Sequence, residues 1–474
     1  MKFLLLAKDW DFTLANYDAV WALVVQIGLL LLFLLLGNLL RTVIPFLRKG
    51  LVPSALIGGL LLFLVDFLLS FFDINLVDQK VMQVITYHGL GIGFIAMTLK
   101  NEKAKNKTDK LKAVENGAMT GATYMLQASI GIAITILFFL FTKDSNNPIY
   151  YASGIILPLG FGQGPGNALT WDINFSNILE NGEHVFSGNG SFGLTIASMG
   201  FIVASIFGVL YINIFKKKGE IPDRIETIKN NRNIEDYVSE DEIEDSESVD
   251  KFSIQAGLVF LAYALAFGIM CIFAVISDFT NNIAWGFNFI WGVITATLIK
   301  MILNKLKKAK IIKKNYINNY QMDRISGFSF DMMIVAGVAA IQIDDVKRYI
   351  WPLIILCAIG TIITIVYLRF VCKKRFKGYE HEMFVTNYGT LTGTASNGMI
   401  LLKEIDPNYE TPASSLFVIS QFPAMICVAP LLLLLSFASG SLTNCIITMC
   451  IFVVLFIAYN LFIFRDVIFK KKKI

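Results

Sequence analysis

The chain has 474 residues, of which 55% are hydrophobic and only 16% charged, with a mean hydropathy of +0.62. That balance excludes an ordinary soluble globular protein and indicates a polytopic membrane protein. The formal net charge of +5 does not indicate a nucleic-acid partner, because the basic residues sit in short loops between apolar runs and form no single patch.

Residues 1–18 form an N-terminal extension whose short apolar run, ahead of Lys8-Asp9-Trp10-Asp11, is too brief for the core of a signal peptide. The first span is therefore expected to do the targeting. Runs able to cross about 30 Å at about 1.5 Å per residue fall at 19–40, 51–71, 81–99, 114–141 and 191–215, then at 253–277, 283–303, 326–342, 349–371, 412–437 and 442–464. Two further stretches, 152–171 and 383–402, are apolar in setting but cannot be regular spans. The first holds Gly160, Gly162, Gly164, Pro165 and Gly166; the second reads TNYGTLTGTASNGM from Thr386 to Met399. Glycine raises the entropy cost of a helix, and proline removes a backbone donor. A broken backbone at membrane depth survives only inside protein or beside a polar cavity. One such break in each half of a chain is a sequence pointer to a transporter's binding site.

Basic residues in short loops favour the cytoplasm. They follow the first span (Arg41, Arg48, Lys49), the third (Lys100 to Lys112), the fifth (Lys216 to Lys218), the seventh (Lys305 to Lys314) and the ninth (Lys373, Lys374, Arg375, Lys377). The alternate loops, such as Asp73 to Asp78 and Asp172 to Glu183, carry acids and amides. This alternation holds only if each break enters and leaves on one side, so both are predicted to be re-entrant hairpins, with the N-terminus outside and the C-terminus cytoplasmic. Residues 216–252, with acids from Glu240 to Asp250, read as a cytoplasmic acidic linker. Five spans precede it and five follow in the second half, with 442–464 outside the repeat. MLQASIGIAI (Met125 to Ile134) and ILCAIGTIIT (Ile355 to Thr364) stand about equally far ahead of the two breaks. The expected fold is all-α: two inverted-topology five-helix repeats, 19–215 and 253–437, each with a re-entrant hairpin, plus one extra C-terminal transmembrane helix and basic tail at 438–474.

Over about residues 20 to 435 the chain resembles the bacterial glutamate:sodium symporter family. Members carry a Gly-His-Gly-Thr-Ala-x-Ala-Trp type hairpin. The corresponding stretch here runs from Gly164 to Trp171, with Pro165 in place of the His. The second hairpin of the family resembles Gly389 to Asn397, with Asn397 at the place of a family Asn. Further echoes are Val52-Pro53 before Gly58-Gly59, Leu126-Gln127 with Gly131, Ile221-Pro222-Asp223, and Pro423. The resemblance implies ten core spans with two re-entrant loops, sodium-driven glutamate uptake across the plasma membrane, and a homodimer. The same inverted halves, with the His replaced, also fit a sodium- or proton-coupled di- or hydroxycarboxylate carrier.

An acidic amino acid needs a donor-rich pocket, which the positive ends of half-helices provide. Sodium, the expected coupling ion, needs oxygens from unwound carbonyls and polar side chains. The candidate residues are Gln163, Gly164, Gly166, Asn167 and Thr170 in the first hairpin, and Gly389, Thr390, Thr392, Gly393, Thr394, Ser396 and Asn397 in the second. Thr392, Thr394 and Asn397 are the candidate sodium ligands. Small residues that merely let helices pack closely are the competing reading. Asp331, inside a span, is a candidate ion or proton site, or an interfacial acid. Asp66 near a span end reads as reaching water, His88 as a hydrogen-bonded core residue, and Gln127 and Gln421 as interhelical hydrogen bonders. No nucleophile, base and orienter set is readable, His184 lies in an outside loop, and the six cysteines show no metal spacing. A transporter with no organic cofactor is the expectation, not an enzyme.

Single cysteines replacing Asn146 and Glu183 in a cysteine-free background should react with an impermeant thiol reagent from outside, whereas cysteines replacing Glu240 and Lys403 should not. Labelling of 146 and 183 from opposite sides would turn the first hairpin into a span.

Overall fold

The computed structural model describes residues 17–72, 74, 76–100, 110–143, 148–178, 186, 188–220, 250–276, 278–312, 314–406 and 411–468. Most of the N-terminal extension and of the acidic linker, the lysines between 101 and 109, Asn146, Glu183, His184 and the terminal lysines lie outside these residues. Among the described residues the fold is helical, with no β-strand.

The principal helices, in chain order, are α1 (Tyr17–Val43), α2 (Ser54–Ser70), α3 (Gln79–Leu99), α4 (Lys110–Thr142), α5 (Pro165–Ile178), α6 (Ser191–Lys217), α7 (Lys251–Ala274), α8 (Asn288–Lys308), α9 (Asn319–Ala339), α10 (Ile350–Arg375), α11 (Glu380–Thr392), α12 (Ala395–Ile405), α13 (Ala413–Ala438) and α14 (Leu442–Ile463). Nine of them, among the described residues, are long and apolar enough to cross a membrane: α1, α3, α4, α6, α7, α8, α10, α13 and α14. This is a multi-pass membrane protein. The other two expected spans differ for separate reasons. Helix α2 is apolar but has only 17 residues, and α9 carries Asp323, Arg324 and Asp331. Helix α9 also starts seven residues ahead of the expected 326, because the Asn318 side chain accepts a hydrogen bond from Gln321 N and caps it there.

The chain packs as two compact units that cut across its order. The first takes α1 as far as Gly37, α2 from Gly58, and α3, α7, α8 and α9. Its helices meet through small residues. An added Cβ on Gly89 would lie 3.0 Å from Ser329 O, and one on Gly93 would lie 2.6 Å from the Phe330 ring. The spacing of four brings α3 against α9, as in membrane helix pairs generally. His88 belongs to a polar knot in this unit. Its Nδ1 lies 2.7 Å from Tyr263 Oη, and Asn288 Nδ2 donates to the same hydroxyl (3.2 Å) and to Tyr87 O (3.0 Å). The core-histidine reading fits this geometry. Asp66 accepts from Leu76 N and Val77 N, both at 2.9 Å, so it fastens the turn after α2.

The second unit holds α4, α5, α6 and α10 to α14. Its centre is α4. Cβ atoms added to Gly117 and Gly121 would fall 2.6 Å from Pro423 and 2.5 Å from Cys427, so α13 lies directly on its backbone. Gly131 meets Gly154 in the same way, with the Gly154 carbonyl 2.3 Å from where the Gly131 Cβ would be. The C-terminal helix α14 packs on α4 and α13. Its end is held by an ion cluster around Glu115, which is 1% exposed. Lys112 Nζ (2.9 Å) and Arg465 Nη2 (3.1 Å) approach the carboxylate, Arg375 binds it with two guanidinium nitrogens, and Arg375 also reaches Asp466 (3.1 Å).

Two stability outcomes follow. Gly154→Ala places a methyl inside backbone and should cost about 3 kcal/mol or more, read as a lowered Tm in detergent. Glu115→Gln leaves arginines short of a counter-charge and should cost about 3 kcal/mol, part of which Arg465→Gln in the same chain should restore.

Candidate functional site

All the hairpin candidates fall in the second unit, at two places where a helix stops and restarts. At the first, a 3-10 turn (Ser153–Ile155), a single α-turn (Ile156–Pro158) and a π-turn (Leu159–Gln163) run to Gly164. Gly164 has φ +82° and ψ −172°, a conformation open essentially to glycine alone. Pro165 then opens α5, where its missing N–H costs nothing because the first amides of a helix have no intrahelical partner. At the second, α11 ends at Thr392. Gly393 and Thr394 are non-helical, and α12 begins at Ala395. The arms α11 and α12 lie close enough that an added Cβ on Gly398 would sit 2.3 Å from Thr386 O.

Helix α6 carries both breaks along one stripe of small residues, Gly193, Ala197, Gly200, Ala204 and Gly208. The Gly193 Cβ position is 2.4 Å from Ala168 O in α5, and the Gly160 one is 3.0 Å from Ala197 N. That of Gly200 is 2.3 Å from Thr392 O and 3.2 Å from the Phe161 ring. The end of α11 and the π-turn therefore meet on either side of Gly200. The Gly208 position touches Leu401 of α12 at 2.6 Å.

Helix α4 meets the breaks with polar groups. Tyr124 and Gln127 are three apart and share a face. The Tyr124 hydroxyl lies against Gly162, the neighbour of Gln163 in the chain. Gln163 Oε1 accepts from Asn167 Nδ2 at 2.6 Å. Gln127 is fully buried, and its Nε2 donates to Thr364 Oγ1 (2.7 Å) on α10 and to Leu391 O (3.1 Å) on α11. The Gln127 expectation of an interhelical hydrogen bond fits, whereas the other glutamine, Gln421, donates within its own helix to Phe417 O (3.1 Å).

Near the two breaks stand Gln163, Gly164, Gly166 and Asn167, together with Gly389, Thr390, Thr392, Gly393, Thr394 and Asn397. Asn167 and Thr392 are fully buried and Asn397 nearly so. Asn397 Nδ2 lies against Gly393, 2.4 Å from its Cβ position. The threonine hydroxyls donate back along their own helices: Thr170 to Gly166 O (2.8 Å), Thr390 to Thr386 O (2.8 Å) and Thr392 to Tyr388 O (2.6 Å). Each keeps acceptor capacity. Ser396 is exposed. Asp331 lies on α9, in the first unit, and is exposed.

No protein-family model matches the chain, and no curated protein matches its sequence. Among the described residues no group of three or more His, Cys, Asp or Glu could hold a metal ion.

Two carboxylates stand at the start of α6. Asp172 Oδ2 accepts from Gly193 N at 2.9 Å, and Asp345, on the short helix Ile343–Arg348, accepts from Asn189 (3.3 Å) and Ser191 (3.4 Å). Burial lifts the Asp345 carboxyl above its ordinary range, and those hydrogen bonds only partly oppose it. Acids at a helix N-terminus are favoured by the dipole. Sequence reading missed Tyr124, Thr364 and Gly200. The small-residue stripe on α6 is the signal that would have found Gly200.

Gly200→Ala should push Thr392 away from Phe161. The expected result is a Tm lowered by an amount corresponding to about 1–3 kcal/mol, with a larger loss for Gly200→Val; an unchanged Tm in both would mean the breaks do not meet there.

Proposed function

We propose that the protein is a secondary active transporter of the plasma membrane, coupling sodium to the uptake of glutamate or a similar acidic amino acid by alternating access. The many apolar helices are compatible with a membrane transporter. The observation that carries the reading is the pair of helix breaks meeting at Gly200 in one compact unit. In this reading both are re-entrant hairpins of two inverted repeats, and two copies of the chain form the working dimer.

Each break presents one helix start and one helix end. The starts of α5 and α12 offer free amides and a positive dipole end, suited to the carboxylates of the substrate. The ends at Gln163 and Thr392 offer carbonyls and a negative dipole end, suited to a cation. With glycines at 164, 166, 389 and 393, a ligand can approach the backbone closely. Thr392, Thr394 and Asn397 supply further oxygens for sodium, and Gln163, Asn167, Thr170, Thr390 and Ser396 extend the polar lining. The resemblance to the glutamate:sodium symporters in both hairpins supports the choice of ion and substrate.

Protein reconstituted in vesicles should take up labelled glutamate when sodium is higher outside and stop when choline replaces it. Competition by malate or citrate alone would instead make it a hydroxycarboxylate carrier, and conductance without saturation would make it a channel. Asn397→Ala should weaken sodium activation and substrate affinity together, by reciprocal linkage of about 1 to 3 kcal/mol, in protein that melts near the wild-type temperature. Asn397→Asp should hurt the acidic substrate more than sodium. A wild-type sodium activation curve in folded Asn397→Ala removes this residue from the site.

A further inference from the structure

The start of α11, the arm that leads to the second break, is fastened by polar side chains from three segments of the second unit. Arg369 on α10 places Nη1 3.0 Å from Nδ1 of His381, the second residue of α11. Glu220, just past the end of α6, faces both: its Oε2 is 3.8 Å from Arg369 Nη2 and 3.7 Å from His381 Nε2. Phe215 of α6 lies beneath them, its ring centroid 4.4 Å from the Arg369 guanidinium and 4.4 Å from that of the His381 ring.

A guanidinium has donors and no acceptor, so the Arg369 contact fixes the tautomer of His381. Nδ1 accepts, and the proton of the neutral imidazole sits on Nε2, towards Glu220. A second proton, on Nδ1, removes the acceptor and sets an imidazolium against a guanidinium. It also puts positive charge in the first turn of α11, where the helix dipole opposes it. On the other side the new charge strengthens the attraction of Nε2 to Glu220. The charged groups facing the imidazole are Arg369 from α10, Glu220 from the segment after α6 and Glu380 on its own helix. Burial first, and then Arg369, outweigh the two carboxylates and hold His381 below its ordinary value of 6.5. A histidine lowered in this way contributes stability at neutral pH and loses it as pH falls through the folded-state value.

We propose that His381 is a proton-operated latch on the second break: neutral, it ties the root of α11 to Arg369; protonated, it releases Arg369, pairs with Glu220 alone and frees the arm. The exchange of partners stands on these contacts alone. Its effect on uptake deepens the transporter reading and rests on it.

The chain has three histidines, so NMR of the purified full-length protein with isotope-labelled histidine can follow each ring, and His381→Gln identifies the signal of His381. Its titration midpoint should lie below 6.5. The midpoint should rise by about half a pH unit in Arg369→Met and fall by about as much in Glu220→Gln, as expected for partly exposed pairs. Midpoints that coincide in all three proteins overturn the latch. Hydrogen exchange across 380–392, corrected for its intrinsic pH dependence, should quicken several-fold in wild type as pH falls through the midpoint. It should hold level in His381→Gln, whose side-chain oxygen can accept from Arg369 at any pH. Exchange that quickens equally in both proteins, or in neither, also overturns the latch. In vesicles with equal pH on both sides, the KM for sodium-driven glutamate uptake should rise across the same range in wild type and stay constant in His381→Gln. The same pH profile in both removes the latch from transport, whereas no uptake at any pH, with the exchange result intact, removes the transporter reading and leaves the latch.

Discussion

A helix that stops inside an apolar layer leaves its last carbonyls and the next helix's first amides without partners, and hydrocarbon offers none. The second unit is arranged around that constraint. Gln127 satisfies Leu391 O from the side, and Gly393 N donates to Gly389 O at 3.0 Å. The remaining backbone is pressed against α6, whose small-residue stripe admits contact at the level of main-chain atoms. Neither α4 nor α6 is broken, so two continuous helices hold two interrupted ones.

The same chemistry explains the glycine usage. Between membrane helices lipid tails remove most of the hydrophobic drive, and association depends on close van der Waals contact. Gly117 and Gly121 on α4, like Gly89 and Gly93 on α3, bring neighbouring helices nearer than any larger residue would allow. Gly131 against Gly154 is the tightest case, since each Cβ position falls on the other's carbonyl. There the first break begins, tied further by Thr135, whose hydroxyl donates to Tyr151 O at 2.7 Å and accepts from Gly154 N at 3.2 Å. One face of α4, from Tyr124 through Gln127 and Gly131 to Thr135, thus meets the first broken segment and the end of the second.

Much of this was legible in the sequence, for identifiable reasons. Four glycines and a proline between 160 and 166 announce a helix interruption whatever surrounds them, and Gly389 with Gly393 marks the second. Length and hydropathy located the long spans, but α9 was placed late because Asp323 and Arg324 hid its polar first turns. What could not be read was pairing across distance. Tyr124 looks like any aromatic in an apolar helix until the first break is beside it, and nothing in the order of residues shows that Asp331 and the two helix breaks fall in different compact units. Periodicity reports which face of a helix is small or polar; it carries no information on which segment covers that face.

The Glu115 cluster has a bearing on biogenesis. Glu115 enters with the start of α4, Arg375 arrives some 260 positions later at the end of α10, and Arg465 follows Glu115 by 350 positions. During translation the carboxylate first has Lys112 as its neighbour. Its full set of counter-charges exists only once α14 has been inserted and docked. Docking of α14 therefore completes the pairing of a buried acid, and a chain truncated before residue 465 would leave that acid short of one partner.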